Sequence, residues 1–275
     1  MRLKRDILRT IIESKNPAFF ERLPGAVSGT LLRTLERIVH IEELSEFFDL
    51  HGDEKNWNFI DAVFEYFDYA YTVSEEDRQR IPAEGRLICV ANHPQGPLDG
   101  LIMLHLIGTV RKDVKVLLTD LLAKLDNLTD LFLLFDQYVT GLQKKNILAI
   151  RQTLFEEHSV IFFPAGHVTK LTRRGLRDQD WMTGPVSCAR KYKAPILPVA
   201  IRAYNSRLYY ALSPLNRHFA TLLLSHEMFR KRGARIPVRV GNLLPYQEFT
   251  DSDADAAAQS QMLRDQVYAL RTGRL

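Results

Sequence analysis

The stretch that decides the fold is Leu87-Ile88-Cys89-Val90-Ala91-Asn92-His93-Pro94-Gln95-Gly96-Pro97-Leu98-Asp99-Gly100. It begins as an uninterrupted apolar run, which is typical of a strand buried on both faces. Pro97 then suits the first position of a helix, and the residues after it are strongly apolar. The stretch therefore predicts a strand, a short loop and a helix, which together are the repeating unit of an α/β protein.

The same alternation of strand and helix continues through the rest of the chain. Period-two or wholly apolar runs predict strands at 70–73, 86–91, 114–118, 160–163, 195–201 and 235–240. Helical spacing predicts helices at 98–107, 146–157, 184–192 and 254–270. We therefore predict a single α/β domain over residues 67–275, with a mostly parallel or mixed sheet flanked by helices.

Residues 1–66 have a different pattern and predict a helical N-terminal segment. Within residues 1–12, apolar side chains recur at intervals of three and four, and four basic residues occupy the remaining positions. This pattern favours an interfacial helix on an anionic membrane, and the alternative is a helix docked on the protein core. Residues 17–20 and 219–224 are further candidates for insertion into a membrane.

Composition bounds the class of protein. Of the 275 residues, 46% are hydrophobic and 25% charged, which excludes a disordered chain, a collagen and a disulfide-stapled miniprotein. Cys89 and Cys188 lack metal-ligand or redox spacing, so we expect buried, reduced thiols. The net charge of +4 suits nucleic acid, an anionic membrane or an anionic substrate without choosing among them. The apolar runs are too short to cross a bilayer, so we expect a soluble or peripheral protein.

The loop after the decisive strand carries the residues best suited to chemistry. His93 lies at the carboxyl end of the strand, and Asp99 lies in the first turn of the next helix. A carboxylate there can hold an imidazole in one tautomer and raise its basicity, as in many acyl-transfer sites. The alternative is a strand-to-helix turn whose His and Asp only cap the helix. No phosphate loop, dinucleotide fingerprint, nucleophile elbow or zinc spacing is present.

Three segments, in order, resemble the signature blocks of the lysophospholipid (glycerolipid) acyltransferase family. Residues 92–100 are similar to its N-H-x4-D block, with five residues rather than four between His93 and Asp99, as in the hemolysin-like or ornithine-lipid-type branch. Residues 161–169, Ile-Phe-Phe-Pro-Ala-Gly-His-Val-Thr, resemble the F-P-E-G-T-R-S block, and residues 194–201 resemble the closing x-P-I-[IV]-P-V strand. The resemblance covers residues 68–272.

The resemblance implies a set of site residues. His93 would be the general base and Asp99 its partner. Substrate contacts would come from the two blocks and from basic residues nearby, namely Asn92, Gly96, Pro164, Gly166, His167, Thr169, Lys170, Arg151, Arg173 and Arg174. For His167 and the basic residues, the alternative is a solvated loop or an exposed helix face.

The chain departs from the family pattern in its second block. Ala165 stands at the usual Glu, His167 at the usual Thr and Val168 at the usual Arg. The block that supplies an arginine for the acceptor phosphate is not evident, and the nearest segment is 132–137. The acceptor is therefore left open between a lysophosphatidate-like lipid and an amino-acid lipid.

The function implied is transfer of a fatty acyl group from acyl-CoA or acyl-carrier protein to a lyso-lipid, without metal or organic cofactor. The enzyme would act in the cytoplasm at the inner face of the membrane, and nucleic acid is not expected as a partner. The alternatives are a non-catalytic acyl- or lipid-binding protein, against which His93 and Asp99 argue, and a thioesterase or lipase, which would need the missing nucleophile elbow.

Overall fold

The computed structural model describes residues 25–118, 125–134, 140–172, 175–214 and 217–272. The predicted interfacial helix at residues 1–12, residues 17–20, residues 135–137, Arg173 and Arg174 all lie outside the described residues. The side chains of Phe219 and Thr221 also lie outside this description. None of the described helices is long and apolar enough to span a bilayer.

Three helices precede the first strand, in agreement with the helical pattern of this region. They are α1 (Gly25–Val39), α2 (Ile41–His51) and α3 (Asn56–Tyr66). His40 has a left-handed backbone, with φ of 56°, and its conformation separates α1 from α2. Phe47 and Phe59 are buried in the same hydrophobic core as the central strand, so these helices cover part of the sheet.

Seven strands form one sheet, in the order β1-β9-β8-β2-β5-β3-β4. Their bounds are β1 (Ala70–Thr72), β2 (Leu87–Ala91), β3 (Val114–Leu118), β4 (Phe132–Leu134), β5 (Ser159–Phe162), β8 (Ile196–Ile201) and β9 (Arg235–Val240). All neighbouring pairs are parallel except β8 and β9, which are antiparallel. The prediction of a mostly parallel, mixed sheet is confirmed.

Helices cover both faces of this sheet, which explains why β2 is apolar at every position. They are α4 (Glu75–Gln79), α5 (Pro97–Gly108), α6 (Thr140–Phe155), α7 (Gly184–Tyr192), α8 (Arg207–Leu212), α9 (Arg217–Phe229), α10 (Gln247–Thr250) and α11 (Ala256–Thr272). Leu87, Cys89 and Ala91 face the core formed with α3 and α5. Ile88 and Val90 face the core formed with α6, α7 and α11.

Several elements lie where the sequence predicted none. A separate antiparallel hairpin, β6 (Lys170–Thr172) and β7 (Gly175–Arg177), projects after the second block. Its strands have three residues each and are mostly exposed, so they leave no apolar period to detect.

The two cysteines are free thiols. Cys89 is buried as expected, whereas Cys188 is only half-buried.

Candidate active site

The carboxyl ends of three adjacent parallel strands meet at one edge of the sheet. β8, β2 and β5 lie side by side and run in the same direction. His93 follows β2, Gly166 follows β5 and Asn205 follows β8. In open α/β sheets this edge is where ligands bind. The topology therefore brings both predicted blocks together, with a third loop beside them.

Asn92 joins the ends of β2 and β8 through two hydrogen bonds. Its side-chain Nδ2 donates to the carbonyl of Ile201 at 2.9 Å, and its Oδ1 accepts from the Ile201 N–H at 2.8 Å. The residue is fully buried. The structure thus places the Asn92 amide inside the protein, where it extends the pairing of β2 with β8, and the predicted contact with substrate stays a prediction.

His93 and Asp99 form a pair at this edge. Nδ1 of His93 lies 3.0 Å from Oδ2 of Asp99, at an angle that falls short of a full hydrogen bond. The His93 side chain is 18% exposed and that of Asp99 is fully buried. The ring of Phe163 lies against the imidazole, with 4.4 Å between ring centroids. Because Nδ1 faces Asp99, Nε2 is the nitrogen left to meet a substrate.

The first turn of α5 fixes the Asp99 carboxylate. Oδ2 accepts from the backbone N–H of Gln95 at 2.7 Å and of Gly96 at 2.9 Å, and so satisfies two N–H groups at the start of the helix. Burial raises the pKa of Asp99 above its ordinary value of 3.8, although His93 and the two N–H groups act in the opposite direction. The carboxylate is thus a fixed partner for His93 that solvent does not reach.

Gly96 accommodates the extra residue of the loop. Its φ is +80°, a conformation that favours glycine, and it directly precedes α5. A Cβ here would lie 3.2 Å from Leu224 of α9 and 3.3 Å from Val168 of the second block. The longer spacing is therefore absorbed before the helix, and Asp99 still occupies its first turn. The lack of a side chain at Gly96 thus lets its loop pack closely against the second block and against α9.

The second block lies directly beside His93. The backbone N–H of Thr169 donates to the carbonyl of His93 at 2.8 Å. Gly166 turns the chain with φ of +65° and is exposed, as are His167 and Lys170. Pro164 is buried, and its carbonyl accepts from the Met182 N–H at 2.9 Å. The structure thus brings this block to the edge occupied by the His93–Asp99 pair.

Thr169 itself does not face the crevice. It is 1% exposed, and its hydroxyl donates to Oδ1 of Asp178. Asp178 also accepts from the indole N–H of Trp181 at 3.1 Å. The Thr169 hydroxyl thus belongs to an interior network that anchors the block, and its predicted contact with substrate stays a prediction.

Arg151 lies elsewhere on the molecule. It is exposed on α6, with its guanidinium 5.2 Å from the ring of Phe155 at the end of that helix. The end of α6 leads into the beginning of β5, so it lies toward the amino edge of the sheet. The direction of the helix thus carries Arg151 away from His93, and its predicted role in substrate binding stays a prediction.

Sequence reasoning missed several polar residues near the pair. The side-chain amide of Asn205 donates to the carbonyl of Pro94 at 3.0 Å. Lys231 is half-buried, and its burial lowers the pKa of its ammonium group. The side-chain oxygen and nitrogen of Gln95, Oδ1 of Asp99 and Oδ1 of Asn205 are buried without a hydrogen-bond partner among the described residues. The feature of the sequence that could have pointed to Asn205 is its position just after the end of β8.

Among the described residues, no group of three or more His, Cys, Asp or Glu side chains is placed to hold a metal ion. The prediction that catalysis needs neither metal nor organic cofactor stays a prediction. What the site offers is a partly exposed imidazole next to a buried carboxylate, an arrangement suited to general-base chemistry.

Comparison with known proteins identifies similar chains. A family model described as acyltransferase matches residues 10–274. The lyso-glycine lipid O-acyltransferase of Bacteroides thetaiotaomicron is 28% identical over 94% of this chain and 95% of its own. The protein of the same name from Phocaeicola vulgatus is 26% identical over 96% of this chain and 94% of its own. The crystal structure of the 1-acyl-sn-glycerophosphate acyltransferase PlsC from Thermotoga maritima aligns over 98% of both chains, with 16% identity and a TM-score of 0.49.

Proposed function

The chain belongs to the acyltransferase family, and from that membership we propose that it transfers a fatty acyl group from a thioester donor to the hydroxyl of a lyso-lipid, with His93 as general base. The observation that carries the proposal is the 3.0 Å approach of His93 Nδ1 to Asp99 Oδ2 at the carboxyl edge of the sheet. The donor is acyl-CoA or acyl-carrier protein. The reaction takes place at the cytoplasmic face of the membrane, where the lipid acceptor resides.

The acceptor that fits best is an amino-acid lipid. The two curated relatives are named for O-acylation of a lyso-glycine lipid, and each aligns over nearly the whole chain. Val168 supports the same choice, because it stands where the family pattern has an arginine and packs within reach of Gly96. An apolar side chain there offers nothing to a phosphate, which arginine would bind through charge-assisted hydrogen bonds.

The chemistry follows from the pair. Nε2 of His93 takes the proton from the acceptor hydroxyl while the oxygen attacks the thioester carbonyl. The tetrahedral intermediate then collapses, the C–S bond breaks, and the departing thiolate receives the proton from the imidazolium. Asp99 orients the ring and stabilises its positive charge during both transfers. General-base assistance of this kind contributes about 10²–10⁴-fold to the rate.

The oxyanion needs a hydrogen-bond donor near the attacked carbonyl. Pro97 has no N–H, and the N–H of Gly166 already donates to the carbonyl of Phe163 at 3.0 Å. The N–H groups of Gln95 and Gly96 donate to Asp99. The N–H of Leu98, at the second position of α5, lies at the positive end of a helix and is the donor that we propose.

The test is product identification with purified protein. Palmitoyl-CoA and palmitoyl-acyl-carrier protein are each offered with a lyso-glycine lipid, with lysophosphatidate or with no acceptor, and products are identified by mass spectrometry. We expect O-acylated glycine lipid with one equivalent of free thiol. Thiol release at the same rate without acceptor would make the protein a hydrolase, and the absence of any turnover would support a non-catalytic lipid-binding protein.

A further inference from the structure

Six exposed residues at the carboxyl edge form a surface that catalysis does not explain. We call it the rim, and it consists of Lys170, Leu171, Arg202, Tyr204, Arg207 and Leu208. Leu171 is 63% exposed, Tyr204 51% and Leu208 58%. Leu171 lies on the β6–β7 hairpin, which follows the second block. Tyr204 and Leu208 lie on the loop and helix that follow β8. Both segments therefore leave the sheet at the edge where His93 lies.

The two halves of the rim are connected through residues beneath them. Leu171 pairs with Leu176 across the hairpin, and such opposite residues point to the same face of an antiparallel pair. Leu176 packs against the cluster formed by Tyr209 and other side chains of α8 and α9. Arg271 completes the link, because its guanidinium lies 4.8 Å from the Tyr204 ring and donates to the carbonyl of Leu176 at 3.4 Å. The hairpin and the segment after β8 are thus held side by side.

The positive charges of the rim lie away from carboxylates. Lys170, Arg202 and Arg207 are exposed, and none of them forms an ion pair with any residue in the described part of the chain. By contrast, Arg177 and Arg264 pair with carboxylates at 2.5 and 2.7 Å, respectively. The segments 170–172 and 202–208 contain no acidic residue. The rim thus combines exposed apolar side chains with unneutralised positive charge.

We propose that the rim is the surface on which the enzyme rests on an anionic lipid bilayer. Apolar side chains that enter the headgroup region and cations that meet anionic lipids are the two contributions to interfacial binding. The placement gives a lipid a short route from the bilayer to His93. The proposal rests on the proposed function for the identity of the acceptor, but the binding it describes is measured without turnover.

The experiment is sedimentation of the full chain with sucrose-loaded vesicles of phosphatidylcholine containing 30% phosphatidylserine. Two rim variants are compared with wild type, L171E/L208E and R202E/R207E. Because all four side chains are exposed, the variants should fold. The matched control is L148E/F155E, which changes two α6 side chains that are 57% and 55% exposed and lie off the rim.

We expect each rim variant to need at least about tenfold more lipid for half-maximal binding, with little change in the control. Wild-type binding should also weaken as salt is raised. Equal binding by rim variants and wild type would overturn the proposal and move the contact to another surface, such as residues 1–12. A change of oligomeric state by light scattering, without loss of vesicle binding, would overturn it in favour of a second copy of the chain.

Activity separates this proposal from the proposed function. With the acceptor embedded in vesicles, the rim variants should turn over more slowly, whereas with acceptor dispersed in detergent they should match wild type. Absence of turnover by every form in both assays would contradict the proposed function, yet the vesicle-binding result would still decide the fate of the rim.

Discussion

The two edges of the central sheet carry their polar groups in opposite states. At the amino edge, a depression of about 610 Å³ is lined by charged residues that have partners. Arg111 is buried and holds Asp113 through two hydrogen bonds of 2.7 and 2.6 Å, and Arg86 pairs with Glu157. At the carboxyl edge, the side-chain oxygen and nitrogen of Gln95 and Oδ1 of Asp99 are buried without a hydrogen-bond partner in the described part of the chain. Arg111 and Arg86 thus neutralise two of the carboxylates that line the depression at the amino edge.

The comparison extends to two aspartates. At the amino edge, the Arg111 guanidinium lowers the pKa of Asp113 below its ordinary value of 3.8. At the carboxyl edge, burial raises the pKa of Asp99. The charged form of Asp113 therefore stabilises the folded state, whereas the charged form of Asp99 destabilises it. Such a cost is expected where a group serves chemistry rather than stability.

The largest expected effect comes from removing the base. His93→Ala should lower acyl transfer about 10²–10⁴-fold, because the acceptor proton loses its receiver. The matched control is His158→Ala at the amino edge, where the side chain is 37% exposed and lies 3.6 Å from Glu156. That control should keep wild-type turnover. Both variants are measured by initial rates with thioester donor and acceptor. His93→Ala within threefold of wild type would exclude a general-base role.

Asp99→Asn should separate activity from stability. Turnover should fall by about 10²-fold, because the amide cannot stabilise the imidazolium. The raised folded-state pKa means that ionised Asp99 opposes folding at pH 7, and that stability is gained only as the pH falls through that pKa. The free energy of unfolding of Asp99→Asn in urea at pH 7 should therefore equal or exceed that of wild type. A clear loss of stability would contradict this assignment.

Asp113→Asn should lower the stability of the fold and leave turnover unchanged, and its effect should be smaller than that of Asp99→Asn. The lowered pKa of Asp113 means that its charged form stabilises the fold above pH 3.8, and that this contribution is lost as the pH falls through the folded-state value. We expect about 1 kcal/mol less stability at pH 7, since the carboxylate side chain is 32% exposed. Turnover per folded molecule should be unchanged. Loss of turnover without loss of stability would place chemistry at the amino edge.

Much of the fold could be predicted because its central strands are apolar at successive positions. β2 and β5 need apolar residues on both faces, and this leaves a signal that sequence alone reveals. The exposed β6–β7 hairpin leaves no such signal, and β4 is apolar throughout but only three residues long. The division of residues 25–51 into two helices at His40 depends on a left-handed backbone at one residue, which helical periodicity does not register.

The site could be predicted only where residues close in the sequence fix one another's positions. His93 and Asp99 are joined by a short loop, so their pairing follows from the strand-to-helix turn and from the family resemblance. The orientation of Asn92, Thr169 and Arg151 depended on tertiary contacts. Asn92 turns inward to Ile201 and Thr169 to Asp178, while α6 carries Arg151 toward the opposite edge. Residue type alone could not distinguish these anchors from substrate contacts.

The central claim is that His93 and Asp99 act as one catalytic unit, and a double-mutant cycle tests it most directly. Turnover is measured for His93→Ala, Asp99→Asn and the double variant at matched folded fraction. The account predicts that the double variant is about as slow as His93→Ala alone, because Asp99 acts through the imidazole. Losses that multiply, so that the double variant is slower by the product of the two single effects, would contradict it.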